Sequence, residues 1–207
     1  MTIVYRNVKG EPLTHAEMDG NFTEIDLRTG PGWSDLTAPL TIAGIPPANA
    51  PALANFGPTH TPRRQELAFG LDDYVFCQSF HVNHDIKPGG KAYVHVHWST
   101  SGTSTETVKW EFTIMRALGH NQANFVAPVV VFVTQAAHGT AWRHMVAECS
   151  VGDALTLSEP DEIILVTLRR VTNGGTDNPN TVFATTVDFH YERDRDATPN
   201  KAPNFYA

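Results

Sequence analysis

Thr107-Val108-Lys109-Trp110-Glu111-Phe112-Thr113-Ile114 decides the fold. Val108, Trp110, Phe112 and Ile114 alternate with Thr107, Lys109, Glu111 and Thr113. A period of two is that of a half-buried strand, because successive side chains point to opposite faces. Upstream, Val94, Val96 and Trp98 alternate in the same way with Tyr93, His95 and His97. Further strand-like segments lie at 74–82, 125–134, 140–148, 154–157, 161–171 and 181–192. Within 125–134, Val129–Val133 is apolar on both faces and reads as a central strand. Turn-rich stretches such as Lys87-Pro88-Gly89-Gly90, Ser101-Gly102-Thr103 and Asn173-Gly174-Gly175-Thr176-Asp177 separate them. About eight short strands with no helical stripe between them predict an all-β domain, an antiparallel sandwich of jelly-roll type, over residues 65–193.

Outward from this domain the pattern changes. Residues 29–64 carry Pro31, Pro39, Pro46, Pro47, Pro51, Pro58 and Pro62. Each proline removes a donor and drives the preceding residue out of the α region, so an extended arm is expected. Trp33, Leu36, Leu40, Ile42, Ile45, Leu53 and Phe56 are scattered along it and are expected to lie on an adjoining subunit. Residues 194–207 form a polar tail ending in Phe205-Tyr206, an apolar pair able to latch onto a neighbour.

Residues 1–28 hold a helix with a strong start signal. Thr14 followed by Glu17 is a capping box, and Leu13 with Met18 occupies the positions of a hydrophobic staple. Met18, Phe22 and Ile25 then recur on one face. So short a helix is marginal alone in water, which predicts docking through Leu13, Thr14, Glu17, Met18, Phe22 and Ile25, with Trp33 and Leu36 of the arm adding contacts.

The 207 residues are 41% hydrophobic and carry a formal net charge of −7 with no basic block. Nucleic acid is therefore not an expected partner, since phosphate neutralisation needs a cationic surface. No apolar run is long enough to span a membrane, and Met1–Gly10 has no apolar core of a secretory signal. Cys77 and Cys149 lie in apolar strand segments and read as buried free thiols.

Histidine is the sharpest chemical signal. His95 and His97 share a strand face, and His81 or His84 is expected opposite them if the two strands pair through the Lys87–Gly90 turn. Imidazoles suit zinc, iron or copper. Outward-facing polar residues opposite Val94, Val96 and Trp98 are the structural alternative. No Gly-x-Ser-x-Gly or His-Glu-x-x-His motif is present, and no catalytic residue is assigned.

Two resemblances bear on function. Pro12-Leu13-Thr14-x-x-Glu17-Met18-Asp19-x-Asn21-Phe22 resembles a segment near the N-termini of tail-fibre and other virion proteins of tailed bacteriophages. The resemblance implies a non-enzymatic structural protein, a small tail fibre, adaptor or head-decoration protein. It further implies attachment through the N-terminal segment, a homotrimer with other virion proteins as partners, and assembly into the virion in the host cytoplasm. Gly89, His95 and His97 are similar to the first half of the cupin metal motif, which implies a zinc or iron site in a metal-binding enzyme. The expected glutamate is displaced, with Glu106 the first candidate. A module binding a host-surface glycan or receptor is the remaining alternative, with the 173–180 loop its expected recognition element.

Overall fold

The computed structural model describes residues 3–41, 44–120, 123–194 and 197–205. Two antiparallel sheets pack face to face. In the first, β6 (Lys91–Thr100) and β12 (Val182–Arg193) are central. The far edge of β6 is bordered by β9 (Met145–Glu148) and β10 (Leu155–Thr156). On the other side, β12 pairs with β1 (Gly32–Pro39) and with β3 (Gln65–Phe69), and β3 carries β2 (Ala52–Asn55). The second sheet runs from β4 (Tyr74–Phe76) and β5 (Phe80–His81), both on β11 (Ile163–Val171), through β7 (Thr107–Ala117) to β8 (Val129–Ala136).

The β4/β5 and β9/β10 pairs each act as one interrupted strand, so the run from β3 to β12 fills eight positions. In chain order these lie 1-8-3-6 in one sheet and 2-7-4-5 in the other. Only the step from β7 to β8 stays within a sheet, which is the jelly-roll arrangement. The expected fold class is therefore the observed one. Its strands differ in detail: β3 lies outside the expected segments, whereas 140–148 and 154–157 fall in one position.

Alternation places the core correctly where it is clean. Val94, Val96, Trp98, Trp110, Phe112 and Ile114 all point between the sheets. Trp98 donates its indole N–H to Gln135 Oε1 at 2.7 Å. The Val129–Val133 segment is not central. It forms the edge strand β8, with Val131 and Val133 buried while Val130 and Phe132 face solvent. The ammonium of Lys109 sits 4.6 Å over the Phe132 ring and keeps a charge beside this apolar edge.

The arm departs most from expectation. Its first half, β1, pairs with β12 residue by residue, from Gly32 opposite Arg193 to Pro39 opposite Thr186. Leu36, 6% exposed, and Ala38 enter the core of their own sandwich, so Leu36 does not reach for an adjoining subunit. Leu40 and Ile45 pack against the same core, whereas Ile42 lies outside the described residues. Pro39 ends the strand at the sheet edge, where a missing donor is tolerated. The tail also folds back: Phe205 is buried, with its ring 5.6 Å from His84 and 5.2 Å from His120. It packs on its own domain; Tyr206 is outside the described residues.

The N-terminal segment contains α1 (Arg6–Lys9) and α2 (His15–Thr29). The capping box is formed: the Thr14 N–H donates to Glu17 Oε2 at 2.7 Å and the Glu17 N–H to Thr14 Oγ1 at 3.2 Å. Lys9 Nζ adds a 2.5 Å contact to the same carboxylate. The Lys9 bond first, then those from Thr14, hold the Glu17 carboxyl at about 2. Asn21 ties the preceding chain to the helix by accepting from the Val4 N–H and donating to its carbonyl. Leu13 and Met18 are half-buried, whereas Phe22 and Ile25 are exposed.

Candidate functional site

The outer face of the first sheet carries a dense imidazole–carboxylate cluster. On β6 the core takes Ala92, Val94, Val96 and Trp98, which turns Tyr93, His95 and His97 outward. On β12, Val187, Phe189 and Tyr191 are inward, and Asp188 and His190 stand outward. Register then fixes the neighbours. His95 lies opposite Asp188 on one side and opposite Glu148 of β9 on the other. His190 lies opposite Tyr93 and, across β12, opposite Asp35 of β1.

The side chains converge accordingly. Asp188 Oδ2 is 3.0 Å from His97 Nε2 and 3.6 Å from His95 Nε2. Glu148 Oε2 is 3.7 Å from His95 Nδ1 and hydrogen-bonds His190 Nδ1. His190 Nε2 reaches Asp35 Oδ1 at 3.0 Å. His144 stacks on His97, with His97 Nδ1 and His144 Nε2 2.7 Å apart. The overlying rings leave His95 only 1% exposed although it is on a sheet's outer face; the His190 ring is 4.0 Å from it, centroid to centroid. Burial pushes the His97 imidazole below its ordinary range. Asp188 opposes that shift, and His95 and His144 reinforce it.

Two atoms of this cluster are buried without a hydrogen-bond partner: His95 Nδ1 and Asp188 Oδ1. Among the described residues, Asp35, Glu148 and Asp188 ion-pair only with imidazoles and not with Lys or Arg. Among the described residues, two sets have donor atoms close enough for one cation: His95, His97 and Asp188, and Asp35, His95 and His190.

His81 belongs elsewhere. Its strand, β5, pairs with β11 in the second sheet, so the Lys87–Gly90 turn lies on a crossing between sheets and does not close a hairpin with β6. His81 Nε2 and His84 Nε2 approach Asp161 Oδ1 at 3.0 and 3.3 Å, and His120 Nε2 approaches Oδ2 at 2.6 Å. The cupin-like spacing likewise does not supply the third donor beside His95 and His97. That donor is Asp188, ninety-one residues beyond His97 in chain order and adjacent only through strand pairing.

Next to the cluster is an open cavity of about 460 Å³ lined by Trp33, Tyr93, Glu148, Val151 and His190. Trp33, 58% exposed, meets Tyr93 edge to face with ring centroids 5.6 Å apart. The pairing of β1 with β12 places Trp33, which the sequence reading assigns to a subunit interface, at this cavity. No sequence signal joins Trp33, Asp35, Glu148 and Asp188 to the histidines, because the four come from three strands remote in sequence.

The 173–180 loop is largely occupied by its own contacts. Asp177 accepts from Thr172 Oγ1 and the Asn173 N–H, and Asn178 donates to the Glu106 carbonyl at 2.7 Å. Cys77 and Cys149 are free thiols; burial drives them up to about 12 and about 11, so neither is a ready nucleophile.

These features define a jelly-roll β-sandwich with an imidazole–carboxylate cluster and an aromatic-walled cavity on one outer face. No protein-family model matches the sequence, and no curated protein matches it. Among solved structures, similar folds include a family 35 carbohydrate-binding module from Clostridium thermocellum, 11% identical over 76% of this chain and 96% of that one, TM-score 0.36. A β-1,3-glucan-binding CBM6 from Bacillus halodurans is 9% identical over 70% and 87% of the two chains, TM-score 0.32. A chain of infectious bursal disease virus Gt strain is 10% identical over 79% of this chain and 32% of that one, TM-score 0.35. Overlaps this loose carry no assignment of activity.

Proposed function

We propose that the protein is a non-catalytic saccharide-binding module whose site is the Trp33–Tyr93 cavity. One observation carries this reading: an exposed indole, braced by a second aromatic ring, walls a cavity whose rim presents Glu148 and His190. A pyranose offers an apolar C–H face and a ring of hydroxyls. Trp33 supplies the apolar platform, and the Glu148 carboxylate supplies acceptors for hydroxyls, held in place by His190. The volume lies within the usual range for a small-molecule site, and the mixture of apolar wall and few polar groups is the usual one. The test is a saccharide array followed by titration calorimetry on the hits. Trp33→Ala and Tyr93→Ala should abolish binding, with circular dichroism verifying that both variants are folded, since Tyr93 also packs against the core. Absence of any hit, or hits retained by both variants, overturns the reading.

A second reading concerns the N-terminal segment, which we propose attaches the module to a larger assembly, a virion in the reading drawn from the Leu13–Phe22 resemblance. Tyr5, Val8 and Phe22 support it, as three large apolar side chains turned to solvent within one short segment. A homotrimer with other virion proteins as partners belongs to the same proposal. Deleting residues 1–28 should abolish incorporation into particles and leave saccharide binding intact. Normal incorporation of the truncated protein refutes attachment.

A further inference from the structure

We propose that His95, His97 and Asp188 form a binding site for a divalent transition-metal ion of the zinc type, with His95 Nε2, His97 Nε2 and Asp188 Oδ2 as ligands. Donor spacing supports the assignment. Ligands of a tetrahedral zinc, bonded at ~2.0–2.1 Å, stand about 3.4 Å apart. Asp188 Oδ2 is 3.0 Å from one imidazole nitrogen and 3.6 Å from the other, and the three donors lie within 4.8 Å of one another, so side-chain adjustment seats the ion. Two imidazoles with one carboxylate select zinc, copper, nickel or iron over calcium or magnesium, which take oxygen ligands.

Burial and tautomer chemistry fit the same site. His95 and Asp188 are both buried, so an ion held between them is shielded from competing water. Loading the Nε2 atoms also settles the tautomers. Each Nδ1 then carries a proton. That of His97 donates to His144 Nε2 at 2.7 Å, and that of His95 faces Glu148 Oε2 at 3.7 Å, a short movement from a hydrogen bond. Metal-bound histidines commonly donate their second nitrogen in this way.

Charge favours the same occupant. Asp35, Glu148 and Asp188 lie within one patch whose ion-pair partners, among the described residues, are all imidazoles. The backbone under the ligands is rigid, since His95 and Asp188 are directly opposed on the paired central strands β6 and β12. Three protein ligands leave a coordination position for water or an exogenous donor, the arrangement of an open zinc site. The inference does not depend on saccharide binding by the neighbouring cavity.

The experiment uses the full chain without an affinity tag, stripped by chelator and titrated with ZnCl2 by calorimetry and with CoCl2 by visible absorption. One equivalent of zinc and an intense tetrahedral cobalt band are expected. Asp188→Asn and His97→Gln should each weaken zinc binding at least tenfold and diminish the cobalt band. Far-ultraviolet circular dichroism verifies that the variants are folded. His81→Ala, at the remote cluster, should bind as the parent does. Stoichiometry below about one-fifth, or parental affinity in both folded variants, overturns the proposal. Loss of binding in Asp35→Asn but not in Asp188→Asn also overturns it, by moving the ion to Asp35, His95 and His190. Trp33→Ala should retain zinc, which separates failure of this site from failure of the saccharide reading.

Discussion

Leu36→Ala tests whether the arm is a strand of this sandwich or a tether for a neighbour. Leu36 is 6% exposed, and its side chain enters the core from β1. Truncation removes three carbons from a packed environment and leaves a cavity that a paired strand cannot fully close. Leu→Ala changes at such sites cost about 2.7–5.0 kcal/mol. Because β1 borders solvent on its outer face, a value near ~3 kcal/mol is expected. For a chain of this size ~3 kcal/mol corresponds to about 6–12 °C in the thermal midpoint. Differential scanning calorimetry on the isolated protein is the assay, with the denaturant midpoint as a second measure. Trp33→Ala on the same strand is the internal control. Its ring is largely exposed and loses chiefly the Tyr93 contact, so a smaller cost of about 0.5–1.5 kcal/mol is expected. A midpoint shift below about 1 °C for Leu36→Ala would refute the reasoning. It would mean that β1 contributes nothing to the isolated domain, and the cavity built on Trp33 would lose its scaffold too.

Arg170, buried on β11, donates at 2.8 Å to the carbonyls of both Phe69 and Asn178, so it links the two sheets. Arg170→Met keeps the stem but removes a donor from both carbonyls, and a loss of about 1–3 kcal/mol in urea unfolding is expected, with parental stability refuting it. The cap of α2 should be acid-sensitive. The Glu17 carboxyl is depressed from 4.5 to about 2, so its stabilisation is complete above about 4.5 and is lost as pH falls through about 2. The protection factor of the Thr14 amide, taken against the intrinsic exchange rate at each pH, should fall as pH drops across that window, and an unchanged protection factor at pH 2 would contradict the capping geometry. Phe205→Ala should undock residues 197–205 at a cost of roughly 2–3 kcal/mol from lost burial, read as faster limited proteolysis near the C-terminus without a matching fall in the global midpoint. Equal protease resistance would show that the ring does not hold the tail.

Sequence periodicity reveals the sandwich because its central strands have one wet face and one dry face. Val108–Ile114 and Val94–Trp98 alternate for that reason, and their buried sides can be read directly from the order of residues. β8 misleads for the opposite reason. Val129–Val133 is apolar on both sides because its outer face is an exposed apolar edge, and periodicity alone cannot separate that from a central strand. β1 is hidden by prolines at both ends, Pro31 and Pro39, which mark its limits rather than exclude it. The candidate site is half legible. The His-x-His spacing puts two imidazoles on one face, but Asp188 and Glu148 join them only through jelly-roll pairing. That topology places the sequence-adjacent β5 and β6 in opposite sheets, which is why His81 looks like a neighbour and is not one.

The two imidazole–carboxylate clusters make the metal assignment sharper by contrast. Both gather histidines about an aspartate. At Asp161 the carboxylate divides its oxygens, with His81 and His84 on Oδ1 and His120 on Oδ2. His84 also bonds Thr198 Oγ1 through Nδ1 at 2.5 Å, and the Phe205 ring packs against His84 and His120. Protein contacts alone can satisfy such a hub, and its effect is to fasten the C-terminal tail. At Asp188 the same residue types meet a different geometry. Both imidazole Nε2 atoms converge on one oxygen, Asp188 Oδ2. Composition is nearly identical at the two places. What separates the tail clasp from the proposed metal site is the direction of the lone pairs, set by turns and the folded-back tail in one case and by two paired central strands in the other.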